Sequence, residues 1–177
     1  MKKITNPKMA ITTLSFICLI ILLGFSTNNG YAQYCAAGST TNGCNTGDEI
    51  ISNFTFNTIN NTSVCETGMY ADYTSMSTDV NLGQTITASI TNTHYFGTDQ
   101  YAVWIDFNHD SIFDASEEFI LTGTTLATGS ITIPLSATIG STRMRIRVDY
   151  TATNALEPCN VHSYGEVEDY TVNILPY

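Results

Sequence analysis

The sequence predicts an all-β chain: an antiparallel β-sandwich, jelly-roll or immunoglobulin-like, stapled by disulfides. Apolar residues recur at every second position. Ile86, Ala88 and Ile90 alternate with Thr85, Thr87 and Ser89, and Met144, Ile146 and Val148 with Arg143, Arg145 and Arg147. That period marks strands with one buried and one wet face. Gly83, Gly97, Gly123, Gly129 and Gly140 cut the chain into short segments, and no stretch of helical length carries a 3.6-residue period. Beyond the N-terminal leader stand Cys35, Cys44, Cys65 and Cys159. An even set in an exported chain implies two disulfides, in any of three pairings.

In chain order the leader comes first. Lys2, Lys3 and Lys8 flank the start of an apolar run over 9–25, and Gly30-Tyr31-Ala32 puts small residues at the −3 and −1 positions of a cleavage site. Residues 1–32 are expected to be a signal peptide. Residues 33–177 then form one domain beginning at Gln33, long enough to bury a core. This mature part keeps only Arg143, Arg145 and Arg147 against all 16 acids, a net charge of −13. Nothing there could neutralise a phosphate backbone or hold an anionic bilayer, so nucleic acid and, after cleavage, membrane are excluded as partners. The expected location is secreted or extracellular. Strands are expected near 49–59, 78–82, 85–90, 100–107, 117–122, 130–134, 143–148 and 171–174, and 35–48 reads as a stapled loop. The three arginines share one face of one strand, read as a solvated face pairing with acids on neighbouring strands. A sulfate- or sugar-acid-binding patch is the alternative.

Between two expected strands lie Asp106, Asn108, Asp110, Asp114 and Glu117. They occupy positions 1, 3, 5, 9 and 12 of a twelve-residue loop, and Ile112 at position 7 offers its carbonyl. Ca²⁺ takes about six to eight oxygens at roughly 2.3–2.6 Å, and alternate ligands on a curled loop converge on one point. Tyr101 to Ile105 enters as a strand, so this is a calcium loop between β-strands rather than an EF-hand. Position 6 is Ser111 where glycine is usual, and a left-handed backbone there costs about 1 kcal/mol. Ca²⁺ is the expected cofactor.

Catalysis is not expected. His94, His109 and His162 are scattered, His-Glu-x-x-His and Gly-x-Ser-x-Gly are absent, and oxidised cysteines supply no thiolate. A small hydrolase built on two carboxylates is the remaining enzymatic alternative. Tyr95, Phe96 and Tyr101 are candidates for an aromatic sugar platform, although loop packing also explains them.

Near the C-terminus stands Gly165-Glu166-Val167-Glu168-Asp169-Tyr170. Together with Tyr34-Cys35, Tyr70, Asp72-Tyr73-Thr74, Trp104, Asp106, Asn108 and Thr142-Arg143-Met144-Arg145, it resembles the GEVED domain of secreted proteins from Bacteroidota-type bacteria. The resemblance covers 34–174. It implies a non-catalytic β-sandwich module that sits beside a partner domain or subunit of a larger secreted protein. Two roles stay open for it, a calcium-stabilised module that binds or adheres to a glycan or protein at the bacterial surface, and a purely structural accessory domain. It also implies a Cys35–Cys159 disulfide, leaving Cys44 with Cys65. On a strand Glu166 and Glu168 share a face and Asp169 takes the other. These acids, with Asp72, either form a second cation site or serve structurally, accepting backbone N–H bonds or pairing with the arginines.

Overall fold

The alternating segments become strands because each buries an apolar row while its backbone groups pair with neighbours. The computed structural model of the chain describes residues 33–40, 49–151 and 155–177. The expected signal peptide over 1–32 and Cys44 lie outside them. The strands are β1 (Ala37–Ser39), β2 (Ile51–Phe56), β3 (Ile59–Asn61), β4 (Tyr70–Asn81), β5 (Thr85–Asn92), β6 (Asp99–Ile105), β7 (Glu118–Gly123), β8 (Leu126–Thr132), β9 (Gly140–Tyr150), β10 (Asn160–His162) and β11 (Glu166–Leu175). The expected segment 49–59 is a hairpin, β2 and β3, turning at Asn57 with φ +53°. Among the described residues the helical piece is a 3-10 turn, Ala115–Glu117, and no helix is long and apolar enough to cross a membrane.

Nine strands form one sheet in the order β3-β2-β5-β8-β7-β6-β9-β11-β4, and β1 pairs with β10 in a second. The large sheet turns over between β8 and β7, so that β2, β5 and β8 pack on β6, β9 and β11. The shared core holds Phe54, Phe56, Ile90 and Ile131 against Val103, Met144, Ile146, Val148, Tyr170 and Val172. The expected antiparallel β-sandwich forms, with two parallel pairs within it. β4 runs parallel to β11, and β1 parallel to β10. Alternation reports which side chains face inward, not strand direction, and the long connection from β4 to β11 leaves room for either.

β6 and β9 are covered on both faces. On the outer side Ala102, Trp104 and Phe113 form a second cluster with Tyr34, Cys35 and Leu156. The segments bearing β1 and β10 lie there, joined by a Cys35–Cys159 disulfide that bridges a sequence separation of 124. This is the pairing that the family resemblance implied. Cys65 is also disulfide-bonded.

Closing so long a loop stabilises the chain by about 4–5 kcal/mol in the chain-entropy model, as an upper figure. The double variant Cys35→Ala/Cys159→Ala is expected to unfold at markedly lower urea than the wild type, with β1 and β10 losing amide protection first. An unchanged midpoint would contradict this.

Candidate functional site

Arg143, Arg145 and Arg147 project from the outer face of β9 because they alternate with the core residues Met144, Ile146 and Val148. The solvated face expected for them is wrong: side-chain exposure falls from 26% at Arg143 to 2% at Arg145 and 0% at Arg147. Pairing with a neighbouring acid does hold. Asp169, opposite Arg145 in the β9–β11 register, takes Arg145 Nε on Oδ1 at 2.8 Å and Nη2 on Oδ2 at 2.9 Å. Arg143 Nη1 reaches the same Oδ2 at 2.8 Å, and the Tyr70 hydroxyl donates to it at 2.9 Å. Burial and the Asp169 charge push the Tyr70 hydroxyl up to about 12, so it stays a donor. The other arginine N–H groups serve the covering segments. Arg145 Nη1 donates to the carbonyls of Cys35 and Pro158, and Arg147 to those of Glu157, Cys159 and Gly38. Arg147 also pairs with Asp149 at 3.1 Å. Asp149 in turn holds His162 Nδ1, whose Nε2 meets Glu157 at 3.0 Å.

The Gly-Glu-Val-Glu-Asp-Tyr string works on two faces. Gly165 has φ +94°, and a Cβ there would lie 2.3 Å from the Val148 carbonyl oxygen, so only glycine fits. Asp169 faces outward to the arginines. Glu166 and Glu168, both fully buried, share the inner face with Tyr170. Glu166 Oε2 accepts the Ile51 N–H at 2.6 Å, and Glu168 Oε2 accepts the Tyr170 hydroxyl at 2.8 Å. Burial raises Glu166 to about 8 and Glu168 to about 7; the Glu168 charge adds to Glu166, and the Glu66 charge adds to Glu168. Asp72 does not join them. It is the register partner of Asp169 on β4 and is exposed on the arginine side. The four acids are therefore two separate groups.

The 106–117 loop joins β6 to β7, as a loop between strands. Asp106 is fully buried and Glu117 nearly so. Asp106 Oδ1 accepts the His109 N–H at 2.7 Å, and Oδ2 accepts the Ser111 N–H at 3.0 Å and the Tyr34 hydroxyl at 2.6 Å. Asn108 and Asp110 accept the N–H groups of Asp110 and Ile112. Glu117 gathers the N–H groups of Phe107, Asn108 and Asp114, and burial raises its carboxyl above the usual range. Ser111 has φ +66°, the left-handed backbone expected at position 6, and His109 has φ +63°. Asn108, Asp110 and Asp114 are exposed, as is Ile112. Among the described residues no three His, Cys, Asp or Glu side chains are gathered closely enough to hold a metal ion. The donor set is nevertheless all oxygen, anchored at both ends by buried carboxylates and curled between them, and its chemistry fits a hard cation.

A cleft of about 590 Å³ opens between this loop and β4, lined by Tyr34, Tyr70, Asp72, Ser111, Arg143 and Arg145 among others. Residue alternation signalled only its arginine wall, as the alternative sulfate- or sugar-acid-binding patch, because the other walls come from segments distant in sequence. The aromatic platform expected at Tyr95, Phe96 and Tyr101 does not form as a row. Tyr101 is buried with its hydroxyl on the Thr124 carbonyl, and Tyr95 packs on the core.

Removing one partner of a buried pair leaves a charge without compensation, at about 3–5 kcal/mol. Asp169→Asn is expected to lose that much in urea unfolding, while the exposed Asp72→Asn stays near wild type. Equal losses would place the ladder at the surface. The inner pair predicts the pH response. Glu166 holds its proton up to about 8 in the folded chain against an ordinary 4.5 unfolded. The folded state therefore binds more protons between those values, and stability falls as pH rises through that window. Melting temperature should drop from pH 5.5 to 8.5 in the wild type and drop less in Glu166→Gln. A parallel fall in both would put the titration elsewhere.

No curated protein and no solved structure matches the chain. Residues 100–173 match the GEVED domain family, a span from β6 to β11 that contains the calcium-like loop, the arginine ladder and the acidic string. Tyr34, Cys35, Tyr70 and Asp72 precede it, yet Tyr34 bonds Asp106 and Tyr70 bonds Asp169 inside it. Across residues 100–173 the chain is similar to the GEVED domain.

Proposed function

We propose that this chain is a secreted, non-catalytic module stabilised by calcium, which binds a glycan or protein at the bacterial surface. One observation carries the calcium reading: the 106–117 loop holds an oxygen donor at every second position from Asp106 to Asp110, between carboxylates buried at Asp106 and Glu117. Asp106, Asn108, Asp110, Asp114 and Glu117 would hold the ion with the Ile112 carbonyl, and the ion would supply the positive charge those acids lack. The assignment as non-catalytic is supported by how the reactive groups are engaged. Asp169 is taken up by two arginines, and Cys35, Cys65 and Cys159 are oxidised. His162 bridges Asp149 and Glu157 as a staple.

A cation that binds only the folded state stabilises it by about 2.7 kcal/mol at a hundredfold excess over its Kd. The wild type is expected to melt higher in millimolar calcium than in chelator. Asp110→Ala, an exposed position, should lose that difference while keeping its chelator melting point, and Glu117→Gln should reduce it. Asp106→Ala should also lose it, but starts lower because Tyr34, His109 and Ser111 lose their acceptor. Identical wild-type curves in both buffers would reduce the loop to an acidic turn.

A further inference from the structure

The arginine ladder ends unevenly. Arg145 spends its guanidinium on both oxygens of Asp169 and on two carbonyls of the cover. The Arg143 side chain, a quarter exposed, makes one hydrogen bond among the described residues, through Nη1 to Asp169. A guanidinium carries five N–H donors, and the rest of this one is turned toward the cleft that Arg143 lines. Its plane is held in place, 4.9 Å over the Tyr34 ring, and that ring stacks on Phe113.

Asp72 lines the same cleft. Its Oδ1 accepts the Thr74 N–H at 3.0 Å. Bonds from Thr74, and then the Arg143 charge, hold its carboxyl below the ordinary value. No ion pair joins Asp72 to Arg143 among the described residues. A cationic donor and an anionic acceptor thus share one cleft without closing on each other. A ligand that satisfies both must carry an anionic acceptor for Arg143 and hydrogen-bond donors for Asp72. A carboxylated sugar ring carries a planar carboxylate, which matches the guanidinium fork, beside several hydroxyls. One or two such rings suit a cleft of about 590 Å³. A free amino acid would fill less of the space and would gain only a solvent-screened ion pair at Asp72.

We propose that this cleft binds a carboxylated saccharide, a uronic acid unit of an acidic glycan, with its carboxylate on Arg143 and its hydroxyls on Asp72. The site deepens the binding role proposed above and does not require calcium. The chain's net negative charge opposes the ligand only at long range, because physiological salt screens it beyond about 8 Å.

The test is a calorimetric titration of the full oxidised domain with digalacturonic acid, beside its neutral counterpart digalactose and beside glycine. Each is run in calcium and in chelator. Saturable binding of the uronate alone, in both buffers, is expected. Arg143→Lys should weaken it about tenfold, the loss of a charge-assisted bond. Since Arg143 also serves Asp169, the exposed Asp72→Asn is the second variant and should weaken binding several-fold with an unchanged melting point. The proposal falls if the uronate does not saturate, if digalactose or glycine binds as well, or if Asp72→Asn titrates like wild type. Binding seen only with calcium, and lost in Asp110→Ala, would assign the sugar to the loop and also overturn it.

Discussion

The two parallel bonds between Arg145 and Asp169 are shielded from water, and most of the outer architecture follows from that. Moving a guanidinium and a carboxylate out of solvent costs several kcal/mol for each ion, and their attraction offsets it only when the remaining donors also find partners. Asp169 is satisfied by Arg143, Arg145 and Tyr70. Arg147 also pairs with Asp149 on its own strand, while other N–H groups of Arg145 and Arg147 reach beyond the large sheet. They are met by carbonyls of Cys35, Gly38, Glu157, Pro158 and Cys159. The ion pair thus requires a cover, and the Cys35–Cys159 disulfide joins the two pieces of chain that supply it. Trp104, 1% exposed on the outer side of β6, is buried by the same cover.

Tyr34 ties this cover to the neighbouring loop. Its hydroxyl donates to Asp106, its ring stacks on Phe113, and Arg143 lies over it. Thr142, one residue before Arg143, donates to the Asp106 carbonyl. The loop, the ladder and the cleft therefore share contacts, and a change in the carboxylate environment at Asp106 reaches the cleft wall through one side chain. On the opposite face Glu166 clamps the start of β2 through the Ile51 N–H. The acidic string of β11 thus holds the outer cover with Asp169 and the inner layer with Glu166 and Glu168.

Much of this was legible before any coordinates. Alternation located Ile86 to Ile90 and Met144 to Val148 as strands, since a half-buried strand needs little beyond its own period. The spacing from Asp106 to Glu117 located a loop between strands and its left-handed position at Ser111, because local backbone closure depends on neighbouring residues alone. Resemblance, rather than spacing, supplied the Cys35–Cys159 pairing. The alternation of Arg143, Arg145 and Arg147 was also read correctly as a face, but as the wrong kind of face. A period of two separates two sides of a strand without telling whether the polar side meets water or a covering segment. The cover over this side comes from residues about 110 positions away from Arg145 on one flank and 13 on the other. Strand direction was hidden in the same way, since β4 would alternate identically whether parallel or antiparallel to β11. The proton held by Glu166 depends on burial under β2, and the division of Asp72 from Glu166 and Glu168 depends on which sheet face each occupies. Local periodicity and short-range closure are written residue by residue, whereas solvent access, strand direction and protonation arise only when distant segments meet.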